Sequence, residues 1–427
     1  MMLKDELRYD LVNRCVQCGY CLPVCPTYMT MERETQSPRG RINLVKMVAE
    51  GRITNLEIIK EPIDLCVACR ACEVACPTGV EYGKILDAAK LALEKRKVYT
   101  SSTKLIRNIL FKKVFPKQKV MVTLSNLVWF YQKMGLQKLA HTTNALKILP
   151  NHLGEFEEVI PRITSPSNRG KNKEYQKIKS PTLKVAFFQG CVMEAIYERI
   201  NHYTLELLNL ANVDVVIPEK QTCCGALHAH SGEHDHAVEL AKQNIEAFEN
   251  LEVDYIVNNA GGCGAALKEY DQLLANDSEY AERAKEFVNK VKDISEILVK
   301  GEPIVFKKGI NEVVTYQRSC HMTNVQKVKD EPLLLIQSIP GLKLAEMQRP
   351  NMCCGSGGIY NMIHYKESMK ILDLKMDTVK ETHATTIITT NPGCLIQMQK
   401  GIIDQGLKGR VRSVHLVELL AEAAGIK

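Results

Sequence analysis

Two cysteine runs near the N-terminus constrain this chain more than anything else in it. The first is Cys15-x-x-Cys18-x-x-Cys21-x-x-x-Cys25-Pro26 and the second is Cys66-x-x-Cys69-x-x-Cys72-x-x-x-Cys76-Pro77. Spacing and trailing proline are the same in both, and this is the run that binds paired [4Fe–4S] clusters in bacterial proteins. Three closely spaced thiolates cap three corners of one cubane, and the fourth cysteine of each run reaches the other cluster. Cys15, Cys18, Cys21 and Cys76 are therefore assigned to one cluster, and Cys66, Cys69, Cys72 and Cys25 to a second. The proline removes an N–H and fixes φ, which turns the last thiolate away from its own triplet. Zinc is the alternative, since Cys-x-x-Cys also suits a tetrahedral ion, but zinc needs two such halves and not triplets with a detached fourth thiolate. Disulfides are a weaker alternative for thiols packed this closely.

The 427 residues leave room for two to four domains. Met1 to Asn13 is polar and lacks the apolar segment of a signal peptide, and no apolar run reaches the length of a membrane-spanning helix. Sixteen cysteines without an export signal point to a reducing, cytoplasmic setting and to metal. The net charge of +7 is concentrated: Val98 to Pro150 holds nine basic residues and no Asp or Glu. These are Lys104, Arg107, Lys112, Lys113, Lys117, Lys119, Lys133, Lys138 and Lys147.

The expected organisation is α+β and multidomain. Residues 1–97 form a helical two-cluster ferredoxin domain, because Ile42, Leu44, Val45 and Val48, and later Ile85, Leu86, Ala89, Leu91 and Leu93, recur at helical spacing. Arg39 and Arg41 either offset cluster charge or merely begin a solvated helix. Residues 98–182 are a basic, aromatic connector around Val120 to Leu124 and Leu127 to Tyr131, ending in a linker from Ser165 to Lys179. Such a segment suits a membrane surface or a partner, or packs as a helical hairpin on its own protein. Nucleic acid is a poor choice, because the motifs of its known binding folds are missing.

From Thr182 the chain repeats itself, with domains expected at 183–300 and 312–427. Lys184-Val-Ala-Phe-Phe-Gln-Gly-Cys191 matches Val313-Val-Thr-Tyr-Gln-Arg-Ser-Cys320, Cys223-Cys224-Gly225 matches Cys353-Cys354-Gly355, and Tyr255 to Cys263 matches Thr386 to Cys394. Short β-branched runs alternate with amphipathic helices, His236 to Leu251 and Tyr365 to Lys380, so a parallel α/β sheet is expected in each copy. Sites in such sheets lie beyond the strand C-termini, where these cysteines fall. Four histidines, His228, His230, His234 and His236, follow Cys224. A structural role is favoured for them, with His228 the best placed for chemistry.

Each repeat resembles the CCG, or cysteine-rich, domain of heterodisulfide reductases and several flavin-linked dehydrogenases. Ferredoxin runs followed by two such domains resemble the iron–sulfur subunit of glycolate oxidase, with Cys-Pro-Thr-Tyr, Ser-Pro-Arg-Gly-Arg, Cys-Cys-Gly-Ala-Leu-His and Asn-Pro-Gly-Cys in place. The full CCG pattern ends in Cys-x-x-Cys. Here Ala260 and Asn391 stand at the first of those positions, which separates this chain from five-cysteine relatives with a multi-iron cluster and disulfide-reducing activity. Three readings stay open for Cys191, Cys223, Cys224, Cys263, Cys320, Cys353, Cys354 and Cys394: a third iron–sulfur cluster, zinc or inert thiols, and a redox dithiol.

No nucleotide fingerprint, nucleophile elbow or defensible carboxylate pair appears, so no catalytic residue is assigned and no substrate site is expected on this chain. The resemblance implies an electron-transfer subunit of a flavin-linked 2-hydroxy-acid oxidoreductase. An FAD-bearing partner oxidises glycolate to glyoxylate, and the clusters pass electrons towards a quinone at the membrane. The alternatives are a thiol/disulfide oxidoreductase, or the matching subunit of a lactate or glycerol-3-phosphate dehydrogenase.

Overall fold

In a computed structural model, the structure describes residues 3–97, 105, 107–143, 146, 152–169 and 178–426. Lys104 and Lys147 of the basic stretch, and residues 170–177 of the expected linker, lie outside these.

The described residues up to 97 are helical, with no strand. Helix Pro38–Ala49 starts where the Ser37 hydroxyl accepts the Gly40 N–H at 3.0 Å, with Pro38 in the first turn. Gly40 is required there, because a Cβ would stand 1.9 Å from the Glu34 carbonyl oxygen. The helix buries Ile42, Val45 and Val48 in one core with Ile85, Leu86 and Ala89 of helix Tyr82–Arg96 and with Leu7 and Leu11. Cys72 belongs to this core, and Cys15, Cys21, Cys66 and Cys76 pack against it.

Each repeat is a four-stranded parallel sheet. In the first, β1 (Leu183–Phe187) lies between β2 (Val213–Val216) and β3 (Tyr255–Asn258), and β4 (Val291–Asp293) adds to β3. The second has the same order, with β5 (Val313–Tyr316) between β6 (Lys343–Leu344) and β7 (Thr386–Thr389), then β8 (Arg412–His415). Helix Tyr365–Lys380 has the bounds read from the sequence, whereas its counterpart runs from His234 to Phe248 and not from His236 to Leu251. Glu233 is its N-cap, so His234 and His236 lie in its first turn.

The repeats pack reciprocally. The helix after the first strand of one copy lies on the last helix of the other: Glu198–Leu210 on Leu416–Ala424, and Glu331–Gln337 on Ile294–Lys300. Val185, Leu208 and Val257 thereby share a core with Val314, Ile388 and Leu420. This burial, at roughly 25 cal/mol per Å² of apolar surface, makes the pair one unit.

The connector packs on its own protein along one face and leaves the other face exposed. Helix Gln118–Lys133 packs on helix Cys191–Ile196 at the mouth of the first repeat, and Phe111 is buried beside it. The outer face of the same segment leaves Leu124, Leu127, Phe130, Met134, Leu136 and Leu139 exposed. Among the described residues no helix is long and apolar enough to cross a membrane.

Candidate metal centres

The first triplet lies on an open loop at the surface. Cys15, Cys18, Cys21 and Cys76 line one small, open cavity together with Cys72, Arg39, Pro77 and Tyr82. Of the second run, Cys76 and Cys72 line this cavity with the first triplet, while Cys25 does not. Cys18 is exposed, and next to it Val16 and Tyr20 are about two-thirds exposed, at 63% and 67%.

The second triplet is the inner one. Cys69, Cys72 and Cys25 are buried, and Cys66 is half-buried. Cys25 and Cys66 face the same guanidinium, that of Arg41. This side chain is 1% exposed and donates to the Pro62 carbonyl at 2.6 Å, the Thr27 hydroxyl at 3.1 Å and the Gln36 side chain at 2.9 Å. All three partners are neutral, and among the described residues no carboxylate pairs with it. Burial disfavours its charge, but the neighbouring Cys66, Tyr82 and Cys25 hold its pKa above the usual arginine value. A buried cation with only thiols for company fits a site whose thiols are anionic. Arg39 is different: it pairs with Glu34 at 2.8 Å and stays partly exposed, beside the outer cavity.

Burial opposes ionisation of four of the thiols. Desolvation raises Cys15 and Cys21, and pushes Cys69 and Cys72 well above the usual thiol range. Cys76 goes the other way: burial opposes its ionisation, but the Thr78 hydroxyl at 3.4 Å and the Val80 N–H at 3.4 Å hold it below that range. Cys25 has the matching neighbour, the Thr27 hydroxyl at 3.2 Å, so the Cys-Pro-Thr tripeptide places a threonine beside each fourth cysteine. Bound iron deprotonates a coordinating thiol outright, which is the charge the buried pair lacks. Among the described residues no three His, Cys, Asp or Glu converge on one ion position. A cubane instead takes each thiolate on a separate iron.

The thiols of the repeats gather at the C-terminal ends of the sheets. In the first repeat, Cys191 lies 3.6 Å from Cys223, and Cys224 neighbours both Cys223 and Cys263. In the second, Cys353 neighbours Cys320 and Cys354, and Cys354 neighbours Cys394. Ala260 and Asn391, at the places of the missing fifth cysteines, lie where the two copies meet. The Gly261 N–H bonds to Thr390 and the Gly262 N–H to the Asn391 side chain, both at 2.9 Å.

The four histidines do not form one cluster. His228 is fully buried, with Nε2 2.8 Å from the Phe111 carbonyl and its ring against Phe111 and Phe115. It lies near Cys224, so it both anchors the connector and borders the first set of thiols. His230 stacks on His321 at 5.4 Å, while His234 is exposed and His236 pairs with Glu239.

Two site residues escaped the sequence reading. Lys375 is buried beside Cys353, Cys354 and Cys394. Its signal was register: with Ile371, Leu372, Met376 and Val379 it occupies the apolar face of its helix. The other is Tyr82, whose hydroxyl donates to the Cys66 sulfur at 3.5 Å.

Comparison with known proteins agrees with this layout. The family model for a 4Fe-4S dicluster domain matches residues 11–80, that for the cysteine-rich CCG domain matches 185–268 and 314–399, and that for the linker region of the glycolate oxidase iron-sulfur subunit matches 102–160. The probable glycolate oxidase iron-sulfur subunit of Bacillus subtilis (strain 168) is 47% identical over 98% of this chain and 95% of its own. The glycolate oxidase iron-sulfur subunit of Escherichia coli (strain K12) is 28% identical over 99% and 98%. Lactate utilization protein A of Halalkalibacterium halodurans is 33% identical over 56% of this chain and 96% of its own. With a near-full-length relative at this identity, the chain belongs to the family of glycolate oxidase iron–sulfur subunits, which places it in an oxidoreductase complex as an electron-transfer component.

Proposed function

We propose that this chain carries two [4Fe–4S] clusters, on Cys15, Cys18, Cys21 and Cys76 and on Cys66, Cys69, Cys72 and Cys25, and passes electrons for a partner that does the substrate chemistry. The partner is an FAD-bearing subunit that oxidises glycolate to glyoxylate, and the acceptor is a quinone-type molecule at the membrane. The observation that carries the reading is the cavity formed by the first triplet with Cys76. Bound clusters supply one-electron steps with little rearrangement, which lets a two-electron flavin oxidation discharge in single steps.

The residues of the chain do the rest. Val16 and Tyr20 expose apolar surface beside Cys18, which suits the docking of a partner close to the outer site. Thr27 and Thr78 hold the two crossing thiols, and Arg41 supports negative charge at the inner site without admitting water. The connector offers Leu124, Leu127, Phe130 and Met134 at three- and four-residue spacing, with Lys112, Lys113, Lys117, Lys119, Lys133 and Lys138 around them. An apolar stripe among lysines suits the anionic inner face of a membrane, where a quinone is found.

The test is reconstitution. Anoxically purified chain should be brown and should not oxidise glycolate, and adding the flavoprotein should reduce its clusters when glycolate is supplied. Glycolate oxidation by the chain alone would overturn the subunit reading. Faster reduction with lactate than with glycolate would favour the lactate relatives as the guide to the substrate.

A further inference from the structure

The loop that carries the inner cysteines is held from two sides, and the two grips differ in kind. The second repeat holds it by neutral contacts. The Asn324 side chain donates to the Cys69 carbonyl at 2.8 Å and the Tyr360 hydroxyl to the Leu65 carbonyl at 3.3 Å, while Val67 and Cys69 share a buried cluster with Cys353, Tyr360 and Ile371. The first repeat holds it by charge. Arg70, the residue after Cys69, forms an ion pair with Glu269, and its side chain is only 12% exposed.

The loop is shaped to place this guanidinium. Arg70 stands where the outer triplet has Gly19, and it keeps a left-handed backbone, φ 58°, that favours glycine over any residue with a side chain. Room for it depends on Gly83, since a Cβ there would stand 1.7 Å from Arg70 Nη2. The partner belongs to one repeat alone. Glu269 lies six residues after Cys263, whereas six residues after Cys394 the second repeat has Lys400, which pairs with Asp404 and Glu155.

The two arginines of the inner site therefore keep opposite company. Arg41 faces the thiols Cys66 and Cys25. Arg70 faces the carboxylates of Glu269, Glu73 and Asp87, which hold its charge against the cost of burial. Glu73 lies 3.7 Å from Arg70 Nε. A second cation on this side, Lys90, lies near Asp87 and donates to the His230 carbonyl of the first repeat at 3.1 Å. A guanidinium rooted between two cluster ligands favours the more negative, reduced cluster, and a carboxylate set against it cancels that effect.

We propose that the first repeat sets the potential of the inner [4Fe–4S] cluster through Glu269, which cancels the Arg70 charge and holds that guanidinium on the repeat, leaving Arg41 as the cation that faces the cluster. Docking of the ferredoxin domain on the first repeat thereby lowers the potential at which the inner cluster takes its electron. This rests on the electron-transfer reading above. Glu269 is a positioning residue: it acts through Arg70 and ligates nothing.

The experiment is an EPR-monitored redox titration of the full-length chain prepared without oxygen, with the outer cluster as the internal standard. Glu269→Gln keeps a hydrogen-bond acceptor but removes the charge, and should favour reduction of the inner cluster about tenfold, a rise of about 59 mV for one electron. Arg70→Gln leaves the Glu269 carboxylate unanswered and should move the inner midpoint the opposite way. The double variant should bring it back towards the wild-type value, and the outer midpoint should stay in place throughout. An inner midpoint indifferent to Glu269→Gln, equal shifts at both clusters, single variants that move it in the same sense, or a double variant that fails to return would each overturn the proposal. Loss of the inner signal in Glu269→Gln would overturn it too, because the pair would then hold the cluster in place and not tune it. Those results leave the outer signal present. Failure of the underlying reading would remove both signals.

Discussion

Gln17 and Ala68 occupy the same place in their cysteine triplets, and both hold left-handed backbone, with φ of 58° and 53°. Two residues further on, Gly19 and Arg70 repeat the match at 90° and 58°. Three of these four are not glycine, so each loop holds strain of about 1 kcal/mol per such residue, which the surrounding structure sustains. Ala68→Gly should relieve it and raise the stability of the metal-free chain by about 0.5–1 kcal/mol, with cluster content unchanged. Ala68→Val should cost about 2 kcal/mol and lower iron occupancy at the inner site. Thermal unfolding and iron per chain measure both.

Arg41 is the inner site's only fully buried guanidinium among the described residues. Arg41→Gln keeps some hydrogen bonding but removes the charge, so the midpoint of the inner cluster should fall by on the order of 100 mV. The outer cluster should barely move. Equal shifts in both, seen by EPR-monitored titration, would show that Arg41 acts on the fold and not on the local field.

The connector should bind anionic vesicles. With roughly 1 kcal/mol for each lysine at the surface, binding should weaken steeply as salt rises. Leu127→Glu with Phe130→Glu, at side chains 63% and 52% exposed, should abolish co-sedimentation without loss of stability. Equal sedimentation with neutral lipid vesicles would contradict the electrostatic part.

Asp293 and His415 cap the last helix of the first and the second repeat, each within a capping box closed by Glu296 and Glu418. Burial moves them in opposite senses: Asp293 up to about 6 and His415 down to about 4. For His415 the unfolded chain binds the proton first, so its contribution is present above about pH 6.5 and is lost as pH falls towards 4. For Asp293 the folded chain binds the proton first, so stability is gained as pH falls through about 6 towards 3.8. His415→Asn should flatten the loss between pH 6.5 and 4, and Asp293→Asn should stabilise at pH 7 by on the order of 1–2 kcal/mol. Urea unfolding at several pH values reads both signs.

How much of this was legible in the sequence follows from the range of each interaction. Helix Tyr365–Lys380 was readable because its apolar face repeats over 16 residues. The edge strands β2, β4, β6 and β8 were not, since runs of two to four residues carry too little alternation to announce themselves. The grouping of Cys76 with the first triplet was an expectation from spacing, and the cavity lined by Cys15, Cys18, Cys21 and Cys76 is compatible with it. The approach of Cys69 to Cys320 was not readable, because nothing local in either segment encodes a contact between the ferredoxin domain and the second repeat. Arg41 was left between a charge-offsetting role and a solvated helix start, and Lys375 drew no reading, although their helical register puts each on a buried face.

The most direct measurement compares EPR spectra of dithionite-reduced, anoxically prepared full-length chain carrying Cys18→Ser, Cys69→Ser or Cys76→Ser. The expected result is that Cys76→Ser loses the same cluster signal as Cys18→Ser and keeps the one that Cys69→Ser loses. A Cys76→Ser spectrum that matches Cys69→Ser, or a wild-type chain that is colourless and free of iron, would contradict it.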